Sequence, residues 1–149
     1  MKSYINRLSL LILFNLVPLY ISVQLIRYYE SELRFNYTPE LTIQNLYEEI
    51  LTQGIEHPEI VLKQAILETH WLKCTHCSMQ YNNIFGFMNK SGYLKFNSWI
   101  DCVKYYKDWQ STFYKGGDYY TFLDRIGYAT GPEYLTRLKW IKIDGFVKI

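Results

Sequence analysis

The sequence predicts an α+β domain that is mostly α, with one small β-hairpin, preceded by an N-terminal hydrophobic helix. Three observations predict it. Apolar residues recur at three- and four-residue intervals along most of residues 39–143. The stretches so patterned open on Ser, Thr or Pro and close on Gly. One segment alone, residues 82–96, breaks the pattern with two apolar runs about an Asn/Gly-bearing turn. At 149 residues, 49% hydrophobic and 20% charged, the chain is one domain long and rich enough in apolar side chains for a packed core. A net charge of +2 excludes a polybasic nucleic-acid binder and an acidic tail protein, so no nucleic-acid partner is expected. Aromatic residues reach 18%. Such an excess either fills the core or offers ring faces to a flat ligand.

The first element is apolar. Lys2 and Arg7 precede an uncharged run from Leu8 to Ile26. At ~1.5 Å per residue a helix over that run approaches the ~30 Å of a bilayer core. Asn15, Pro18 and Gln24 lower its hydrophobicity, and no Ala-x-Ala-like cleavage site precedes Arg27. Residues 1–27 therefore read as a signal anchor, with a cleaved signal peptide as the alternative. Basic residues ahead of the span put the N-terminus inside and the rest of the chain beyond the cytoplasmic membrane. Residues 28–38 form a short polar and aromatic stalk, and residues 39–149 the domain.

Within the domain, Thr38-Pro39-Glu40 supplies a hydroxyl cap, a proline and an acid for a first helix, with Leu41, Leu46, Ile50 and Leu51 as its apolar stripe and Gly54 as its stop. Pro58 opens a second helix running to about Lys73. The hairpin follows, its turn at Asn89-Lys90-Ser91-Gly92. Trp99 to Phe113 is a third helix, and Ser98 with Asp101 has the spacing of a capping box. Gly116-Gly117-Asp118 separates it from a short helix over Tyr119–Ile126, stopped by Gly127. Gly131-Pro132-Glu133 starts a last helix through Ile143.

The second helix carries the chemical signal. Ile60, Gln64, Leu67, Glu68 and Trp71 share one face, and Val61, Leu62, Ala65, Ile66 and Thr69 the adjoining one. Glu68 thus stands among apolar and aromatic neighbours, where lost hydration favours its protonated form. A protonated carboxyl beside a cleft can donate to a glycosidic oxygen. The plain alternative is a glutamate at the helix edge reaching solvent.

The run Gln64-Ala65-Ile66-Leu67-Glu68-Thr69-His70-Trp71, then Asn82-Asn83-Ile84-Phe85-Gly86, then Tyr93-Leu94-Lys95-Phe96-Asn97-Ser98-Trp99, then Tyr128-Ala129-Thr130 and Tyr134, resembles the bacterial glucosaminidase domain of glycoside hydrolase family 73. Order and spacing match from about Leu41 to Ile141. The resemblance implies a lysozyme-like fold and an endo-β-N-acetylglucosaminidase that cuts peptidoglycan glycan strands after N-acetylglucosamine. It implies Glu68 as general acid and Tyr128 as a second residue of the catalytic centre. It places Asn83 and Phe85 at the border of the cleft. Gln64, Trp71 and Tyr134 are expected to join them in binding the glycan. The implied setting is the bacterial cell envelope, with the domain held to the cytoplasmic membrane by its N-terminal helix, or secreted if that helix is cleaved. The chain is expected to act as a monomer, without a cofactor.

One departure stands out. Glycosidases commonly use two carboxylates, yet no Asp or Glu lies between Phe87 and Trp99, where many relatives carry the second. Three explanations remain open. The substrate's acetamido group attacks, with Tyr128 orienting it; or Asp101 or Glu133 reaches the cleft; or the domain binds the wall with little or no turnover. A muramidase or lytic transglycosylase cut of the same polymer is a further alternative. Cys74-Thr75-His76-Cys77 has metal or redox spacing, but no second such pair exists. In an exported chain the expectation is one disulfide, Cys74 or Cys77 with Cys102, or none, and no metal site.

Overall fold

The computed structural model describes residues 20–29, 38–129 and 131–147, and divides the chain into two compact units, residues 1–38 and 39–149. In the first unit, residues 20–29 form helix α1, whose apolar side chains, Ile21, Leu25 and Ile26 among them, are exposed. The larger part of the expected apolar span, residues 8–19, and most of the stalk lie outside the described residues. Among the described residues no helix is long and apolar enough to cross a membrane.

The second unit is mostly helical: α2 (Ile43–Thr52), α3 (Pro58–Glu68), a 3-10 turn (Ser78–Tyr81), β1 (Met88–Asn89), β2 (Gly92–Tyr93), α4 (Trp99–Phe113), α5 (Tyr119–Arg125) and α6 (Tyr134–Trp140). α3 runs through the middle of the core, packed against α2 and α6. Leu46 and Ile50 of α2 meet Val61, Leu62, Ala65 and Ile66 of α3, and Val103 and Tyr106 of α4, all with no more than 1% of their surface exposed. Burying each aliphatic side chain of that size contributes roughly 1.5–3 kcal/mol.

The caps explain where the helices differ from expectation. α2 starts at Thr42, whose Oγ1 accepts from the Asn45 amide at 3.1 Å, and not at Thr38. The Pro39 carbonyl accepts instead from the Trp99 indole at 2.9 Å, which holds that stretch extended against α4. Leu51, expected in the stripe, is 49% exposed, and Tyr47 takes its place in the core. α3 ends five residues early. The Thr69 hydroxyl donates to the Ala65 carbonyl at 2.6 Å and accepts from the Leu72 amide at 3.0 Å, while His70, Trp71 and Leu72 turn left-handed. α4 keeps its expected bounds, with Ser98 Oγ accepting from the Asp101 amide at 3.1 Å and donating to the Asp101 carboxylate at 2.9 Å, side chain to side chain where a capping box would return to the Ser98 backbone. α6 is shorter than expected at both ends, and Ile141 is already extended.

The hairpin is reduced to two residue pairs, Met88 with Tyr93 and Asn89 with Gly92. Beyond them a side chain replaces the ladder. Asn83, fully buried, donates to the Phe87 and Leu94 carbonyls at 2.8 and 3.0 Å and accepts from the Phe87 amide at 2.9 Å. Removing it strands buried backbone groups, each costing ~1–3 kcal/mol. Asn83→Ala is expected to lower stability by at least ~2 kcal/mol, read as a reduced urea midpoint; a midpoint within error of wild type would contradict this account of the lobe.

The cysteines pair differently from expectation. Cys74 and Cys77 are joined to each other, Cα atoms 5.9 Å apart, in the loop after α3. Cys102 is free and fully buried at the start of α4, its thiol 3.9 Å from Asn83 Oδ1. It lies in the core, and burial pushes its pKa up to about 12. Among the described residues no group of three or more His, Cys, Asp or Glu side chains is arranged to hold a metal ion.

Candidate active site

α3 delivers Glu68 to a groove. Its inward residues anchor the helix in the core, and the Thr69 cap ends it just past Glu68. The carboxyl therefore emerges where the backbone turns away. The groove, about 730 Å³, is walled by α3 (Leu67, Glu68), the 85–88 segment, Tyr93 of β2, Trp109 and Phe113 of α4, the loop from Ile126, and Tyr134 and Arg137 of α6. Polar and apolar surface contribute comparably to its lining.

Glu68 is half-buried, and loss of hydration raises its carboxyl above the usual range. The Tyr134 hydroxyl and the Arg137 charge work against that shift without cancelling it. Its place in the last turn of α3 adds to the shift, since the negative end of a helix disfavours a carboxylate. On the opposite wall Gly86 comes close. Its φ is +70°, and a Cβ there would stand 2.8 Å from Glu68 Oε2. Only a residue without a side chain lets the 85–87 segment cover one side of the carboxyl.

Tyr128 secures that wall. Its hydroxyl donates to the Phe85 carbonyl at 2.8 Å, one residue before Gly86, while part of its surface borders the groove. Burial raises its pKa well above the usual value, so it is a neutral phenol. Tyr134 is likewise raised by burial and by the neighbouring Glu68 charge.

Behind Glu68 a chain of buried polar groups crosses the core. The Gln110 amide is oriented by the Glu56 backbone, accepting from its N–H at 2.8 Å and donating to its C=O at 2.9 Å. Gln110 donates to Tyr119 Oη at 2.9 Å, and Tyr119 and Tyr106 hydroxyls lie 2.7 Å apart. Tyr106 donates to Gln64 Oε1 at 2.6 Å. An amide oxygen only accepts, so Tyr106 spends its proton there and takes one from Tyr119. That direction turns Gln64 Nε2 toward Tyr134. Gln64 Nε2 and Tyr134 Oη are the two buried polar side-chain atoms among the described residues that complete no well-aligned bond. They lie beside each other and beside Glu68.

Of the residues singled out in the sequence, Glu68, Phe85, Tyr128 and Tyr134 come together at the groove. Gln64 and Asn83 do not reach its surface: both are 0% exposed, and their side chains hold neighbouring groups in place. Trp71 is carried out of the groove by the left-handed turn that ends α3, and packs against Phe146 at a tilt, ring centres 4.9 Å apart. Asp101 is spent on the α4 cap and an ion pair with Lys104 at 3.7 Å, and Glu133 is exposed at the start of α6; neither borders the groove. Glu68 is the single carboxylate among the described residues that line it. Sequence reasoning passed over Arg137 and Gly86. The signals were an i, i+3 spacing from Tyr134 and a glycine closing an apolar motif.

The family model described as mannosyl-glycoprotein endo-beta-N-acetylglucosaminidase matches residues 44–143. No curated protein matches the chain. No solved structure matches it either.

Proposed function

Because the chain belongs to the glucosaminidase family, a family of glycoside hydrolases, we propose that it hydrolyses peptidoglycan at the β-1,4 bond after N-acetylglucosamine, with Glu68 as general acid. One observation carries this reading: a half-buried carboxyl on the wall of a groove, held against Gly86 where water is scarce. Glu68 gives its proton to the glycosidic oxygen as the bond breaks. Arg137 and the Tyr134 hydroxyl then stabilise the carboxylate left behind. With no second carboxylate on the groove wall among the described residues, the acetamido oxygen of the substrate is the nucleophile at C1, and water opens the ring so formed. Rings of Tyr93, Trp109 and Tyr128 offer walls for the sugars. Tyr128, its proton committed to Phe85, acts by holding the wall that carries Gly86.

The test is a digest of cell-wall sacculi with the full-length chain, the products identified by mass spectrometry. Reducing-end N-acetylglucosamine is expected. Reducing-end muramic acid or anhydro-muramic acid reassigns the bond to a muramidase or a lytic transglycosylase. A second reading, a binding module without turnover, is favoured by the lone carboxylate. It predicts that the chain sediments with sacculi and releases no new reducing ends.

The acid role fixes a pH dependence. Glu68 works protonated, so kcat/KM falls as pH rises through its raised pKa. Tyr134 and Arg137 from α6 hold that pKa down, while Gly86 and Tyr128 face it without charge. Tyr134→Phe is expected to move the alkaline limb of the kcat/KM profile to higher pH. A limb that stays put, or moves down, would show that the phenol does not donate to Glu68.

The site of action follows from the polymer. We place the domain at the bacterial cell envelope, tethered to the cytoplasmic membrane through residues 8–26. Protease protection of a tag on Met1 in intact cells tests this; a tag digested from outside rejects it.

A further inference from the structure

A second cleft, about 760 Å³, lies beside the groove on the α6 side. Trp71, Trp140 and Phe146 wall it, Arg137 and Lys142 supply its charge, and Leu67 and Arg137 border both cleft and groove. Trp140 is 77% exposed and Phe146 52%. The lining surface is almost wholly apolar, with the basic residues Arg137 and Lys142 at its border, and no carboxylate lines it among the described residues. Such a wall offers few partners for sugar hydroxyls, which distinguishes it from the groove. It suits a short chain of small apolar groups that carries carboxylates, with methyls against the rings and anions on Arg137 and Lys142. Leu67 and Arg137 border both, so the two sites adjoin, within reach of a ligand seated in one that carries a branch toward the other.

We infer that this cleft binds the carboxylate-bearing peptide branch of the glycan strand whose sugars occupy the groove beside Glu68. The inference rests on the glycan reading above and adds a site to it. It also gives Trp71 a place in recognition, on the branch and away from the cleaved bond. The early end of α3 at Glu68 is what turns Trp71 to this side.

Tryptophan side chains report on the two sites separately, since Trp109 lines the groove and Trp71 and Trp140 the cleft. The full-length Glu68→Gln chain, in which the bond after N-acetylglucosamine stays whole, is labelled with 15N at its indoles and titrated with three probes: the N-acetylglucosamine–N-acetylmuramic acid disaccharide carrying its peptide, the same disaccharide without peptide, and the peptide-bearing form with its carboxylates amidated. The first is expected to shift Trp109, Trp71 and Trp140, and the second Trp109 alone. Amidation, or the double variant Trp140→Ala with Lys142→Ala, is expected to weaken the peptide-bearing probe about tenfold and leave the bare disaccharide unchanged. Trp109 shifts with Trp140 silent overturns the peptide site and leaves the groove reading standing. Silence at both overturns both. Equal affinity for all three probes, or a Trp140 shift that follows protein concentration without ligand, also overturns it, the latter assigning the cleft to a second copy of the chain.

Discussion

Glu68→Gln is expected to cut the release of reducing ends from sacculi by about 100- to 10,000-fold, the range by which a positioned general acid accelerates such a step. The amide keeps the size of the carboxyl, so the groove survives; only the transferable proton is lost. The fold should be unharmed. Burial raises the Glu68 pKa, so an ionised Glu68 costs stability above the unfolded-state pKa. The sign follows: as pH rises from the unfolded to the folded pKa, wild type loses stability that the amide variant retains. The variant should therefore be at least as stable as wild type at neutral pH, with less advantage at pH 4. Unchanged lytic activity in a folded Glu68→Gln protein would remove Glu68 from the reaction.

Gly86→Ala should come next in effect. The added methyl would stand 2.8 Å from Glu68 Oε2 and 3.3 Å from Cδ. The nearest atoms belong to the end of a side chain, so the carboxyl gives way before the backbone does. It leaves Tyr134 and the position from which it protonates the substrate. A displacement of ~1 Å at a reacting group can cost ~100-fold in rate. The left-handed φ of +70° adds a stability cost of roughly 1–2 kcal/mol. Gly54→Ala separates the two effects: its φ is +62°, but nothing lies within 4 Å. It should lower Tm while leaving kcat intact. Equal kcat losses in both variants would mean that backbone strain alone, and no contact with Glu68, explains the Gly86 result.

Legibility in the sequence followed the range of the interaction. α4 was readable to the residue because Ser98 and Asp101 cap it three positions apart, within one turn. α5 was readable within one residue because Gly116-Gly117-Asp118 and Gly127 bound it locally, and the structure adds that Asp118 accepts from the Thr121 amide at its start. α2 was misplaced because its start depends on Trp99, 60 residues away, holding the Pro39 carbonyl. The hairpin was overlong because Asn83 does by side chain what strand pairing would have done by backbone. The site showed the same division. Glu68 was singled out by the family resemblance, since the spacing alone favoured a glutamate at the helix edge reaching solvent, whereas the roles of Gln64 and Trp71 were not legible. A helical face treats residues 64, 68 and 71 alike, and the structure sends the first inward, the second to the groove and the third around a left-handed turn to the neighbouring cleft.

The sequence by itself determined the helical class, the local caps and the candidate acid, since periodicity and short-range hydrogen bonds act within a turn or two of chain. Only the tertiary structure decided that Gly86 covers that acid, that Tyr128 holds the covering wall, that Tyr106 and Gln64 back Tyr134, and that no other carboxylate reaches the groove among the described residues. Those contacts join residues far apart in the chain, Tyr128 and Phe85 by 43 positions, and their existence depends on how the helices pack, which no local pattern encodes.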